Sequence, residues 1–186
     1  MTKPLGHKAP QDHTGALTPS ERFAMRPIAI ARSPYKERFG APRQASVTRE
    51  TRDGEVAEGV IELLPEIPLE SLRSLEGFDY LWVIYVFHLN DGASTGQTRW
   101  PALVRPPRDP EHQHGLFATR APHRPNPIGL SALRIARIEG RAIHVRGLDL
   151  LDGTPVIDLK PYVPYADAFP DAKAGWVDEA EARGRR

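Results

Sequence analysis

Short segments of alternating polarity, each ending near glycine or proline, are the feature that most constrains how this chain folds. In residues 130–138 one face carries Leu130, Ala132 and Arg134 and the other carries Ser131, Leu133 and Ile135. Glu139-Gly140 follows, and residues 142–146 form a second such segment. Two period-two segments joined by a short glycine-containing turn predict a β-hairpin.

Similar strand signals recur along the chain, at residues 27–31, 59–64, 78–89 and 155–159. The aromatic and β-branched content of residues 80–87 is typical of a central, covered strand. Leucines at three-residue spacing predict a short helix within residues 68–77, and residues 176–186 predict a weakly charged second helix. About seven short strands with one or two short peripheral helices predict a mainly β fold, either an antiparallel β-barrel or a sandwich.

Length and composition predict a single folded domain. The chain has 186 residues, enough for one well-buried core. Residues 1–22 are polar and without periodicity, which predicts a disordered N-terminal tail, so we assign the domain to residues 23–168 and a C-terminal extension to residues 169–186. No apolar run approaches the ~20 residues of a membrane-spanning helix. The chain has no cysteine, which excludes disulfides and thiolate zinc sites and favours a cytoplasmic location.

One stretch, residues 115–130, combines cationic side chains with proline. Pro122, Pro125 and Pro127 restrict the backbone on both sides of each ring, so the loop has little freedom to lose on binding. The polar side chains on this stiff loop are Arg120, His123, Arg124 and Asn126. Such a loop suits a pocket for an anionic or heteroaromatic ligand, and the alternative is a surface loop with solvated arginines.

Net charge argues against a general affinity for polyanions, since it is only +1. Residues 99–124 nevertheless contain five arginines and two acids, which allows a local cationic face. No nucleotide-binding glycine motif and no serine-hydrolase motif is present. His112, His114 and His123 have conceivable metal spacing, but solvated histidines are the simpler interpretation, and we predict no metal site.

Two carboxylates and one histidine are candidates for proton chemistry. Asp149 and Asp152 flank a predicted turn, where they could act as acid and base, although capping of the turn by Asp152 is the simpler role. His88 ends the predicted central strand, a position where histidine more often makes a structural hydrogen bond. The residues alone leave these alternatives open.

Five segments in order, residues 33–44, 75–88, 104–108, 115–130 and 149–162, resemble the TsaA-like family, which contains tRNA N6-threonylcarbamoyladenosine N6-methyltransferases. The resemblance spans about residues 28–167. It implies an antiparallel β-barrel, a homodimer, S-adenosylmethionine as cofactor and the anticodon loop of tRNA as partner. It also implies a methyltransferase that modifies N6 of threonylcarbamoyladenosine beside the anticodon. Ala121 departs from the family, in which many members have serine at this position.

The resemblance implies a cofactor site formed by Pro42, Arg43, Gln44, Phe87, His88, Arg120, Leu130, Leu151, Asp152, Gly153 and Thr154. A methionine carboxylate suits the guanidinium of Arg43 or Arg120. His88, Asp152 and Tyr162 are candidate catalytic bases by residue type, and the sequence does not choose among them. Candidates for contact with RNA or the threonyl carboxylate are Arg105, Arg108, Arg124, Asn126 and Lys160.

Two other functions are compatible with the same motifs. One is an S-adenosylmethionine-dependent enzyme or sensor that acts on something other than tRNA, which the low net charge favours. The other is a non-enzymatic RNA-binding β-barrel that uses only the cationic loop. Cofactor binding and salt-sensitive tRNA binding distinguish the three hypotheses.

Overall fold

Eight β-strands provide most of the regular structure in the computed structural model, which describes residues 23–37, 41, 58–90 and 99–184. The predicted tail, residues 1–22, and the predicted cofactor residues Pro42, Arg43 and Gln44 lie outside the described residues. The strands are β1 Ala29–Arg32, β2 Glu58–Leu63, β3 Tyr80–Val86, β4 Leu103–Val104, β5 His114–Gly115, β6 Ile128–Glu139, β7 Ala142–Arg146 and β8 Pro155–Pro161.

Six of these strands form a closed barrel in the order β1-β2-β7-β6-β3-β8, with β8 pairing back onto β1. All neighbouring pairs are antiparallel. The predicted antiparallel β-barrel is therefore confirmed. The two-residue strands β4 and β5 form a separate small sheet, which the sequence did not predict because two residues are too few to show alternation.

The barrel core consists of the inward-facing half of each strand. In β3 the buried positions are Leu81, Val83 and Tyr85, and the positions between them face outward. Leu133 of β6 and Ile143 of β7 are fully buried against them. Side chains from all six strands thus fill the interior, as expected for a barrel of this size.

The predicted hairpin is confirmed by β6 and β7. The second strand has the predicted bounds, Ala142–Arg146, and Ile138 pairs with Ile143 across the turn. Gly140 in this turn has φ 57°, a left-handed conformation that glycine adopts without steric cost. An irregularity between Ile135 and Arg137 shifts the register. A bulge of this kind bends the longest strand so that it follows the curvature of the barrel.

The helices are short and peripheral, as predicted. The single helix predicted in residues 68–77 is wrong in detail, because two 3-10 helices, Leu69–Leu72 and Leu75–Gly77, occupy it. Ser74 lies between them with φ 69°, and this left-handed residue prevents a continuous helix. Another 3-10 helix spans Leu116–Ala118, and two α-helices follow the barrel, α1 Pro164–Asp167 and α2 Trp176–Gly184. No helix in the described ranges is both long and apolar enough to span a bilayer.

Candidate functional site

The predicted cofactor residues that the structure describes gather at one end of the barrel. This end, here called the site end, is where β3 finishes and where β6 and β8 begin. Val86 pairs with Ile128 and Tyr85 pairs with Val156, so Phe87-His88 and the turn at residues 151–154 lie at the same end. The antiparallel pairing of β3 with both neighbours produces this arrangement.

Asp152 anchors the turn at residues 151–154 to the segment after β1. Its Oδ1 accepts a hydrogen bond from the Ser33 amide at 2.9 Å, and its Oδ2 lies 2.6 Å from Nζ of Lys36. The amide of Asp152 donates in turn to the Tyr35 carbonyl at 2.8 Å. The Lys36 ammonium, followed by the Ser33 amide, lowers the pKa of the Asp152 carboxyl. Asp152 is therefore an ionised structural acceptor whose two oxygens are already engaged.

Tyr85, Ser131 and Asp149 form a polar cluster at the site end. The Tyr85 hydroxyl lies 3.4 Å from Oγ of Ser131, and Ser131 hydrogen-bonds to the carboxyl of Asp149. Burial raises the pKa of both Tyr85 and Asp149, and the charge of Arg120 opposes the rise at each. Among the described residues, Asp149 has no hydrogen-bond partner for its buried Oδ1. The two carboxyl groups of the predicted turn thus differ, because burial raises the pKa of Asp149 whereas Lys36 and Ser33 lower that of Asp152.

Gly129 makes room for the ring of Tyr85. A Cβ atom on Gly129 would overlap two ring carbons of Tyr85 and lie 2.8 Å from its hydroxyl oxygen. Tyr85 is 6% exposed and also contacts Phe87, with ring centroids 5.3 Å apart in an edge-to-face arrangement. The small residue at the start of β6 therefore allows a tyrosine hydroxyl to reach the polar cluster.

The Arg124 side chain stabilises the proline-rich loop through hydrogen bonds to its backbone. One of its guanidinium nitrogens donates to the carbonyls of Thr119, Ala121 and Leu116 at 2.9, 3.4 and 3.5 Å. The guanidinium also lies 5.7 Å from the ring centroid of Phe117. These contacts give Arg124 a structural role in the loop, in addition to the substrate contact predicted for it.

The loop is also tied to the end of β3. The side-chain amide of Asn90 donates to the Pro122 carbonyl at 2.8 Å, and the amide of Phe87 donates to the Pro127 carbonyl at 2.8 Å. Arg120 is exposed on this loop, yet its positive charge lowers the pKa of both Tyr85 and Asp149. The structure therefore brings Arg120, His88 and the turn at residues 151–154 to one end of the barrel.

Tyr162 and Lys160 lie toward the opposite end of the barrel. The Tyr162 ring packs against Tyr80 and Trp82, with centroids 6.1 and 5.5 Å apart. The length of β3 separates it from His88, about 20 Å at the usual rise per residue. Lys160 pairs with Asp158 at 2.8 Å. Within one chain, Tyr162 and Lys160 therefore lie away from the predicted residues at the site end.

The opposite end also holds a pocket of about 350 Å³, next to the two 3-10 helices between β2 and β3. Its walls are mostly apolar and include Ile28, Leu63, Leu75, Phe78 and Leu159. None of the predicted site residues lines it. The polar chemistry and this apolar pocket are therefore at different ends of the molecule.

Helix α2 packs on residues 108–118 through a buried acid. Asp109, 5% exposed, accepts from His112 at 2.8 Å, His114 at 3.0 Å and Arg183 at 2.8 Å. Its hydrogen bond with His112 is the largest of the influences that lower the pKa of Asp109 to about 2. His114 also stacks on Trp176, with ring centroids 4.3 Å apart. The interpretation as a solvated histidine is therefore wrong for His114, whose side chain is 17% exposed, whereas the His112 side chain is 56% exposed and remains in contact with solvent.

The remaining predicted contacts with RNA differ in availability. Arg105, Arg108 and Asn126 are all exposed, and Arg108 also pairs with Glu181 of α2 at 3.4 Å. Leu130 is 47% exposed because it lies on the outer face of β6. Within the described ranges, no three acidic or histidine side chains are grouped as metal ligands would be.

Comparison with known proteins identifies the family of this chain. A model of the tRNA-methyltransferase O N-terminal domain matches residues 30–168. This chain belongs to that family. Its membership confirms the resemblance inferred from the ordered motifs.

Similar proteins come from archaea, bacteria and mammals. A probable S-adenosyl-L-methionine-binding protein of Pyrococcus abyssi is 40% identical over 154 residues, which cover 83% of this chain and 76% of the relative. The tRNA (adenine(37)-N6)-methyltransferase of Escherichia coli is 39% identical over 166 residues, 86% of this chain and 66% of the relative. A crystal structure of TrmO from Pseudomonas aeruginosa matches with a TM-score of 0.65 and 38% identity, covering 85% of this chain and 64% of that one. This chain thus spans about two-thirds of the length of the last two proteins.

The sequence did not predict that Tyr85 and Ser131 would lie among the polar residues at the site end. One signal was available for Ser131. It occupies a core-facing position of an alternating strand, between Gly129 and Leu133, where a hydroxyl requires a buried partner. Tyr85 gave no such signal, since its ring suits a covered strand as well as phenylalanine would.

Proposed function

We propose that this chain is an S-adenosylmethionine-dependent methyltransferase that methylates N6 of threonylcarbamoyladenosine next to the anticodon of tRNA. The observation that carries the proposal is the gathering of Phe87-His88, Arg120 and the turn at residues 151–154 at one end of a barrel of this family. The name of the E. coli relative, which is 39% identical, supports the adenine at position 37 as the target. We place the reaction in the cytoplasm, where tRNA is available.

The side chains at the site end fit S-adenosylmethionine. Arg120 offers a guanidinium for the methionine carboxylate, and the half-buried Phe87 ring offers an apolar wall for the adenine. The unpartnered oxygen of Asp149 is a further acceptor for a donor group of the ligand. When bound, the cofactor supplies an electrophilic methyl group attached to sulfur.

His88 is our choice among the three candidate bases. Methyl transfer forms a bond from N6 to carbon and breaks the bond from sulfur to carbon, so the N6 proton requires an acceptor. Asp152 already engages both oxygens, and Tyr162 lies toward the opposite end. His88 is half-buried at the site end, directly after β3. Orientation of the weakly nucleophilic N6 contributes the rest of the rate enhancement.

Phe117 and the arginines around it suit single-stranded RNA. The Phe117 ring is 77% exposed, although the residue next to it, Leu116, is buried. The Arg124 guanidinium beside the ring is fixed by three carbonyls, so the aromatic surface is held in place. Unpaired anticodon-loop bases stack on such surfaces, while exposed Arg105 is available for phosphates.

Replacing Phe117 with alanine is expected to lower kcat/KM for tRNA by about tenfold, because one base-stacking contact is lost. Phe117→Tyr should retain most of the activity, whereas Phe117→Leu, which keeps an apolar side chain without an aromatic face, should resemble alanine. Calorimetry should show unchanged affinity for S-adenosylmethionine in all three variants. Equal activity of the alanine and tyrosine variants would contradict the stacking role.

We also propose that the protein is a homodimer, formed through the outer face of β3 and β6. Apolar side chains pair there, with Ile84 opposite Leu130 and Val86 opposite Ile128. Leu130 is 47% and Ile128 37% exposed, although outward positions of a free barrel favour polar residues. Sedimentation equilibrium on the purified chain tests the proposal, and a monomer at micromolar concentration would contradict it.

The function itself is tested with labelled S-adenosylmethionine and tRNA that carries threonylcarbamoyladenosine. Nucleoside analysis after digestion should reveal a labelled N6-methyl derivative, and tRNA that lacks the threonylcarbamoyl group should remain unlabelled. Cofactor binding without any labelled nucleoside would favour an enzyme or sensor with a different substrate. Salt-sensitive tRNA binding without cofactor binding would favour a non-enzymatic RNA-binding barrel.

A further inference from the structure

Asp149 is unusual among the buried polar groups of this protein. Within the described ranges, its Oδ1 is the one buried side-chain polar atom without a hydrogen-bond partner. Leaving a carboxylate oxygen buried without a donor is costly, because the oxygen has lost water and gained nothing. Such an atom requires an explanation when the other buried polar side chains of the described residues have partners, and a donor supplied by a ligand is one.

The surroundings of Asp149 define which donor would fit. A hydrogen bond from Ser131 lowers the pKa of the carboxyl group, and the Tyr85 hydroxyl lies 3.4 Å from Oγ of Ser131. Burial disfavours its ionised form, which a full positive charge at Oδ1 would restore and a neutral amino group would not. Asp152 at the same end is already engaged by Ser33 and Lys36. The available acceptor therefore suits a cation with several N–H donors.

Arg120 provides the complementary charge. The charge of its guanidinium lowers the pKa of both Asp149 and Tyr85. A cationic group and a carboxyl group therefore lie at the same end of the barrel. An α-amino acid presents the matching pair, a carboxylate and an ammonium group on one carbon. A guanidinium binds the carboxylate through paired N–H donors, and a carboxylate accepts from the ammonium.

We propose that Asp149 binds the α-ammonium group of the methionine part of S-adenosylmethionine, while Arg120 binds its α-carboxylate. This inference rests on the proposed function, since it takes S-adenosylmethionine as the ligand. Ser131 is a positioning residue for the Asp149 carboxyl, and Tyr85 supports Ser131. The site thus recognises the amino acid end of the cofactor separately from its adenosine end.

Calorimetry with three ligands tests the proposal on Asp149→Asn. S-Adenosylmethionine carries both charged groups, decarboxylated S-adenosylmethionine keeps the amine alone, and 5′-methylthioadenosine has neither. The variant should bind the first two about 10- to 100-fold more weakly than the wild type, the usual cost of a lost charged hydrogen bond. Its affinity for 5′-methylthioadenosine should be unchanged. Asp158→Asn, at an acid paired with Lys160 away from the site end, is the matched control and should bind all three normally.

Ser131→Ala is a second variant, which keeps the acid and removes the hydroxyl that holds it. We expect a smaller loss for the two amine-containing ligands and none for 5′-methylthioadenosine, with thermal unfolding to verify that both variants fold. Unchanged affinity of Asp149→Asn for S-adenosylmethionine, or an equal loss for 5′-methylthioadenosine, would overturn the assignment of Asp149 and leave the proposed function intact. A wild-type protein that binds none of the three ligands would overturn both.

Discussion

An Arg120→Ala variant is expected to bind S-adenosylmethionine about 100-fold more weakly than the wild type, because truncation of one partner leaves the ligand carboxylate without its guanidinium. The same variant should bind decarboxylated S-adenosylmethionine almost normally, since that ligand has no carboxylate to lose. The affinity of Arg120→Lys for S-adenosylmethionine should lie between those of the wild type and of Arg120→Ala, because an ammonium keeps the charge without the planar pair of donors. Calorimetry at constant ionic strength measures all of these affinities.

Arg73→Ala is the control for this experiment. Arg73 is an exposed arginine beside the pocket at the opposite end, so its removal changes the net charge equally without touching the site end. If Arg73→Ala weakened cofactor binding as much as Arg120→Ala, the effect would be one of overall charge. If Arg120→Ala bound the cofactor normally, Arg120 would have no part in the cofactor site.

Gly129→Ala is expected to lower the free energy of unfolding by about 1–3 kcal/mol, the usual range for overpacking in a tightly packed interior. The added methyl group overlaps the Tyr85 ring, which is buried in a closely packed interior. Displacement of Tyr85 also disturbs Ser131, so cofactor affinity should fall together with stability. Denaturant unfolding monitored by tryptophan fluorescence measures the loss of stability.

Gly115→Ala is the matched substitution. Gly115 has φ −56°, and a Cβ atom on it would meet no other atom within 4 Å. This variant should unfold at nearly the same denaturant concentration as the wild type. Equal stability of the two alanine variants would show that the Tyr85 ring adjusts without cost.

The strands were predictable because the alternation of polarity is local. It predicted the bounds of β7 within the hairpin, whereas the two ends of β3 were overestimated by two or three residues. Closure of the barrel was not predictable from the residues alone. It depends on the pairing of β1 with β8, two segments more than a hundred residues apart, and no local pattern encodes such a pairing. The family resemblance supplied the distinction between barrel and sandwich.

The residues of the candidate site were supplied by the family resemblance, and their roles remain predictions. The ordered motifs indicated Phe87-His88, Arg120 and the turn at residues 151–154, and the structure brings them to one end. The difference between Asp149 and Asp152, three residues apart, was not predictable. It arises from Ser33 and Lys36, which reach Asp152 across the fold and leave Asp149 to Ser131. Only tertiary contacts decide which of two neighbouring carboxylates remains available.

The closed order of the six strands has a consequence for self-association. Each barrel strand has a hydrogen-bonded neighbour on both sides, so none of the six strands is an edge strand along its whole length. A contact between two copies through the outer face of β3 and β6 would therefore be made by side chains. A charged residue in place of Leu130 would alter such a contact without changing strand pairing, so evolution can adjust quaternary structure here independently of the fold.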